Sequence, residues 1–363
     1  MSVTVVVGGQ YGSEGKGKMV AYLASSKAHR SVAVVRCGGP NSGHTVDFCG
    51  RPYPLRQLPT AAVIDGVELF LGAGMIIDPE ILQTEIKALR VQPTRVHVDR
   101  NAVIVDDHDL AQERAASLRE RIGSTLSGTG SATSRKVLRD PSQKTAKEIA
   151  ALRALVTDVS RRLNQLVDRG HPIIVEGTQG IGLSLHHSRY FPFATSRDTT
   201  AAAFLSEVGL APTLVSDVIV VFRTYPIRVA GNSGPFPNEV TWQEVGARAG
   251  SPIPFSEYTT VTKRLRRIAQ FDWDLAQEAV RINRPTRLAL HGLDYVNFSD
   301  RGVRSWRELT DASKSFVSNL EARLETPVHF LFTGPRNADL IDLSGTSLTV
   351  LHDEGPLTRS RTG

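Results

Sequence analysis

The chain has 363 residues, 40% of them hydrophobic and 22% charged, enough apolar material for a large core and too much for a disordered or fibrous polymer. Its net charge of +6 and pI near 9.4 suit a protein that handles phosphates and carboxylates, and the lack of an aromatic–basic stacking face argues against nucleic acid. Its two cysteines, Cys37 and Cys49, form neither a disulfide framework nor a CxxC pair, so a reducing cytoplasm is expected, and no stretch reads as a signal or a membrane span.

In chain order, Thr4–Val7 reads as a first buried strand, followed by a glycine-rich loop and a helix from Met19 to Ala24. Ser31–Arg36 reads as a second strand. From Thr145 to Asp168, Ile149, Leu152, Val156, Val159, Leu163 and Leu166 recur at three- and four-residue steps and predict one long helix, closed by Gly170. Pro172–Val175, Asp217–Phe222, Arg287–Leu290 and Val328–Phe332 read as further strands. The alternation predicts an α/β fold: a single large domain over residues 1–353, with a mainly parallel central sheet flanked by helices, and a polar tail over 354–363. Ligands are then expected beyond the carboxyl ends of the strands.

Two motifs follow strands in that way. Gly8-Gly9-Gln10-Tyr11-Gly12-Ser13-Glu14-Gly15-Lys16-Gly17-Lys18 can turn backbone N–H groups toward an anion, with the helix dipole behind them and Lys16 within reach of a phosphate. It is not a Walker A loop, because Gln10 and Gly17 stand where that pattern needs Gly and Ser or Thr. Gly38-Gly39-Pro40-Asn41-Ser42-Gly43-His44-Thr45 brings a histidine able to donate or accept a proton.

Together these motifs resemble those of the adenylosuccinate synthetase family, Gln-Trp-Gly-Asp-Glu-Gly-Lys-Gly-Lys and Gly-Gly-Asn-Asn-Ala-Gly-His-Thr. The likeness continues in order through Ile122–Thr125, Lys136–Arg139, Glu176-Gly-Thr-Gln179-Gly180, Tyr190–Ser196, Arg228-Val229, Gly234–Pro237, Thr260–Arg267, His291–Asp294 and Thr333–Pro335. The chain is shorter than usual members around residues 140–170 and 297–327. The resemblance implies a ligase that phosphorylates the 6-oxygen of a purine monophosphate and replaces it with the amino group of aspartate, with Mg²⁺ as cofactor and a homodimer as the working form.

It also implies roles. Ser13, Lys16, His44 and Gln179 would be catalytic. Ser13, Asn41, Thr125, Gln179, Thr195, Val229 and, from a second subunit, Arg139 would hold the substrate nucleotide. Thr262, Arg264 and Arg266 would hold the carboxylates of aspartate, in a loop where Val261 and Lys263 depart from the family's threonine and glycine. Gly12, Gly15, Lys16, Gly17, Gly43, His44, Thr45, Arg266, Asp294, Phe332, Gly334 and Pro335 would hold the donor nucleotide, and Ser13 and Gly43 would hold the metal.

Ser13 is the largest departure, because the family has an aspartate there as base and metal ligand. Serine is a poor base and a weak Mg²⁺ ligand. It leaves room for the 2-amino group of guanine, and in this the chain resembles a viral branch, the phage 2-aminoadenylosuccinate synthetases that act on dGMP. At the donor end Gly292 replaces the lysine of Thr-Lys-x-Asp, and Phe332 replaces a serine. ATP or dATP therefore competes with GTP as the expected donor. The alternatives are an ordinary synthetase using IMP and GTP, and a nucleotide-binding pseudoenzyme.

Overall fold

The computed structural model describes residues 3–27, 31–48, 50–259 and 263–345, and the 354–363 tail lies outside them. A ten-stranded sheet is built from β1 (Val3–Gly8), β2 (Ala33–Arg36), β3 (Glu68–Leu71), β4 (Val96–Asp99), β5 (Val156–Thr157), β6 (Ile173–Glu176), β7 (Val215–Arg223), β8 (Arg287–His291), β9 (Val328–Phe332) and β10 (Leu340–Asp342). Its order is β10-β9-β8-β7-β1-β6-β2-β3-β4-β5. Every pairing is parallel except β9 with β10.

The middle strands are β-branched because both of their faces are covered. Along β1 the residues alternate: Val3, Val5 and Val7 join a core with the helices Val159–Asp168, Ala201–Val208, Trp273–Asn283 and Asp311–Leu324, whereas Val6 joins a core with the helices Lys16–Lys27 and Pro79–Ala88. All six expected strands are present. Among the described residues no helix is long and apolar enough to cross a membrane.

The helix expected over 145–168 is corrected: only Val159–Asp168 is α-helical. Upstream lie 3-10 turns at Ala146–Glu148 and Ala150–Leu152 and then the edge strand β5. Local caps outweigh the apolar period here. Thr145 and Glu148 close a capping box, and Asp158 accepts from the Arg161 N–H and starts the real helix. Val156 and Thr157 pair with Val98 and Asp99, so their side chains pack as strand residues.

Candidate functional site

The carboxyl ends of β1, β2, β6, β7, β8 and β9 converge on a cleft of about 1290 Å³. Beneath its floor the glycine-rich loop is wound around one carboxylate. Glu14 is fully buried, accepts from the N–H of Gln10 (3.1 Å) and of Gly12 (2.7 Å), and pairs with Lys16 Nζ at 2.6 Å. Lys16 also donates to the Gln179 carbonyl at 2.5 Å, which ties the loop to the segment after β6. A Cβ on Gly180 would stand 2.3 Å from the Glu14 carboxylate, so glycine is required where the two segments touch. The Gln10 side chain brackets the backbone of Arg223, donating to its carbonyl and accepting from its N–H, both at 3.0 Å. The N–H groups of Lys16 and Gly17 open the helix with no acceptor among the described residues, which leaves them for an anion.

His44 is held from below. Parallel register sets Glu176 beside Arg36, and both side chains are fully buried. Glu176 accepts from His44 Nδ1 (2.5 Å) and from the N–H (2.8 Å) and hydroxyl (3.1 Å) of Thr60, with Arg36 3.8 Å away. Burial works to raise the Glu176 pKa, but His44, Arg36 and the Thr60 N–H outweigh it and hold it below the usual range. Burial and the neighbouring Arg36 and Lys16 push His44 down to about 4, against the pull of Glu176. The carboxylate is therefore charged and accepts, so the hydrogen sits on Nδ1 and Nε2 carries the lone pair.

Asn41, Thr125, Gln179, Thr195 and Val229 all line the cleft. Thr125 heads a chain of hydroxyls, 3.1 Å to Ser127 and 3.0 Å from there to Thr129. Arg139 is not in the cleft of its own chain. It ends the helix Thr129–Leu138 in a left-handed conformation, exposed, beside Val137 and Leu138, each 73% exposed.

Arg264 and Arg266 line the cleft, and Thr262 lies outside the described residues. Ser13, in a left-handed conformation at φ +57, accepts a hydrogen bond from Arg266 Nη1 through its hydroxyl and one from Arg223 Nη1 (3.3 Å) through its carbonyl. Arg223 pairs with Glu257, which also accepts from the Tyr295 hydroxyl at 2.8 Å. Sequence reasoning missed Arg223 and Glu257; the available signal was an arginine closing a buried strand.

Of the other residues expected at the donor nucleotide, Gly12, Gly15, Gly17, Gly43, Thr45, Asp294, Gly334 and Pro335 line the cleft. Burial raises Asp294 to about 6, against Arg301, Arg223 and Lys18. Lys18 donates to the Gly334 carbonyl at 3.1 Å and is lowered to about 8, by burial first and then by Arg223. Phe332 does not line the cleft. It is 1% exposed and lies behind His291, a cleft residue that the sequence placed in a family-like motif without a role of its own.

No group of three or more His, Cys, Asp or Glu side chains able to hold a metal occurs among the described residues. Ser13 and Gly43, the residues expected at the metal, both line the cleft and could offer only neutral oxygens, so a Mg²⁺ there would be carried mainly by phosphate oxygens and water. When bound, Mg²⁺ neutralises developing charge on the donor phosphates.

A profile of the adenylosuccinate synthetase family matches residues 5–146 and 140–301. The adenylosuccinate synthetase of Methanocaldococcus jannaschii is 40% identical over 347 residues, covering 94% of this chain and 97% of that protein. That of Thermococcus onnurineus is 40% identical over 346 residues, covering 94% and 98%. Among solved structures, the fully ligated adenylosuccinate synthetase of Plasmodium falciparum shares the fold, with TM-score 0.83 at 22% identity over 94% of this chain and 100% of that one. The succinoaminodeoxyadenylate synthetase of cyanophage S-2L, bound to dGMP and to dATP as an energy donor, gives TM-score 0.79 at 31% identity over 94% and 95%. With a glycine-rich loop, a carboxylate-held histidine and two arginines around one cleft, and with relatives alike over nearly their whole length, this chain belongs to the adenylosuccinate synthetase family of purine-biosynthetic, nucleotide-binding C–N ligases.

Proposed function

We propose that this ligase joins L-aspartate to C6 of dGMP through a 6-phosphoryl intermediate, giving N6-succino-2-amino-2′-deoxyadenylate for 2-aminoadenine DNA. The observation that carries the reading is Ser13. A neutral hydroxyl lines the cleft where the family has an aspartate, and Arg266 donates to it. The likeness to the cyanophage enzyme, solved with dGMP, supports the same choice. Lys16 and the free loop amides would hold the transferred phosphate, Gln179 the purine edge, Thr125 and Thr195 the 5′-phosphate, and Arg264 and Arg266 the carboxylates of aspartate, together with Thr262.

ATP or dATP is the proposed donor. Gly292 supplies no side chain beside the base, and Asp294 is an acceptor for an adenine amino group. The catalytic unit is residues 1–353, with 354–363 as an appended tail. Its place is the cytoplasm, a host's for a viral chain, where nucleotide and aspartate pools lie.

The test mixes the protein with aspartate, Mg²⁺ and ATP and compares dGMP with IMP for a succinyl product. Preferential turnover of dGMP is expected, and preferential turnover of IMP overturns the reading. IMP with GTP is the second reading, favoured by the names of the 40% identical archaeal relatives.

A homodimer completes the site. Exposed Val137 and Leu138 beside Arg139 are suited to burial against a second copy, which would deliver Arg139 to the substrate phosphate. Arg139→Leu is expected to raise the KM for the monophosphate. Mixing it with a Lys16→Ala chain restores part of the activity through hybrid dimers. No recovery despite demonstrated subunit exchange argues against a shared site.

A further inference from the structure

The imidazole of His291 is packed in a way that substrate binding does not explain. It stacks on Phe332, centroids 3.8 Å apart and planes 8° from parallel, at paired positions of β8 and β9. Against it stands the backbone of Gly15. A Cβ there would lie 2.4 Å from Cε1 and 2.6 Å from each ring nitrogen, and these near-equal distances put it over the ring face opposite Phe332. Gly15 also has φ +100, and its carbonyl accepts from the N–H of Lys18 (3.0 Å) and of Met19 (3.3 Å), so it sets where the helix carrying Lys16 begins.

The ring is 6% exposed, and its buried Nε2 has no hydrogen-bond partner among the described residues, whereas a structural histidine is ordinarily satisfied. Burial first, then Lys18, Arg223 and Lys16, hold its pKa well below the ordinary value, so the plate adds no charge to a cluster of cations. An imidazolium there would repel Lys16, the lysine proposed to meet phosphate.

We propose that His291 is a positioning residue for phosphoryl transfer: a flat plate wedged between the end of β9 and Gly15, which fixes the backbone immediately before Lys16 and hence the reach of Lys16 to the transferred phosphate. The inference rests on the family's phosphoryl step and not on which purine is used. It is therefore measured with whichever monophosphate, dGMP or IMP, turns over, and a wrong assignment of the purine leaves it testable.

His291→Ala removes the plate. Misplacement by about 1 Å costs on the order of 100-fold in rate, so kcat is expected to fall by roughly 10- to 100-fold. The KM of the donor triphosphate should rise, with those of the monophosphate and aspartate within about twofold, a split that general destabilisation would not produce. His291→Phe keeps a ring of the same thickness on Phe332 and should recover most of the kcat that alanine loses.

Gly15→Ala pushes a methyl into the ring and should be nearly inactive. Adding His291→Ala should recover part of that loss, though not the part due to the positive φ. The proposal is overturned if the phenylalanine variant, with wild-type Tm, is as slow as the alanine variant. It is equally overturned if His291→Ala raises only the monophosphate or aspartate KM, or if the double variant is no faster than Gly15→Ala.

Discussion

His44→Asn is expected to lower turnover by roughly 10²- to 10⁴-fold, the range for a lost general acid or base, while nucleotide affinity stays near that of the wild type. Asparagine keeps an amide donor for Glu176 and removes only the ring nitrogen that faces the cleft. In the free protein this imidazole is neutral at pH 7, with a pKa pushed down to about 4 by burial, Arg36 and Lys16. To act as an acid on the phosphorylated O6 it must gain a proton after binding, when the added negative phosphate offsets the cations and raises its pKa. The kcat then falls as pH rises through the raised value. Glu176 is the anion that favours the imidazolium, so Glu176→Gln should move that fall to lower pH. Succinyl product formation gives kcat and calorimetry gives nucleotide affinity. A His44→Asn enzyme with near-normal turnover would remove His44 from the chemistry.

The parts of this site that could be read in sequence are those that are local in the chain. Glycine spacing, Lys16 and His44 lie within single loops, and the six expected strands are short apolar runs, β-branched in the middle of the sheet and buried on both faces. The strands that escaped notice are short and carry polar groups. β3 begins with Glu68 and β4 holds His97, and these pair across the sheet at 3.1 Å, so each four-residue run is broken by a polar group. β5 is two residues long and was absorbed into a helical period that capping interrupts. What supports the loops was also invisible. Glu176 meets Arg36, and His291 meets Phe332, only because parallel register sets them side by side. Arg223 reaches Ser13 across 210 residues of chain. No local pattern encodes such pairs, although Glu176, Arg36, His291, Phe332 and Arg223 each close a strand, and a polar residue at the carboxyl end of a buried strand is the feature to look for.

Ser13→Asp is expected to abolish most dGMP turnover and to add some with IMP. The variant should fold, because Ser13 is exposed and Arg266, already donating to its hydroxyl, would meet a carboxylate there. The conflict arises with substrate. In the proposed pose the residue faces purine N1, and guanine brings its 2-amino group to the same place. A carboxylate could attract those N–H donors, so charge and volume oppose one another. Volume is expected to win, since a packed pocket accommodates extra atoms at a cost of about 1–3 kcal/mol. That is a factor of roughly 5–150 in the relative kcat/KM. Hypoxanthine lacks the 2-amino group and does not meet the crowding. The quantity to measure is the ratio of kcat/KM for dGMP to that for IMP, in wild type and variant, at saturating aspartate and ATP. The ratio should fall by at least the lower end of that factor. A wild type that prefers IMP, or a Ser13→Asp enzyme that uses dGMP better than the wild type does, contradicts the role given to Ser13.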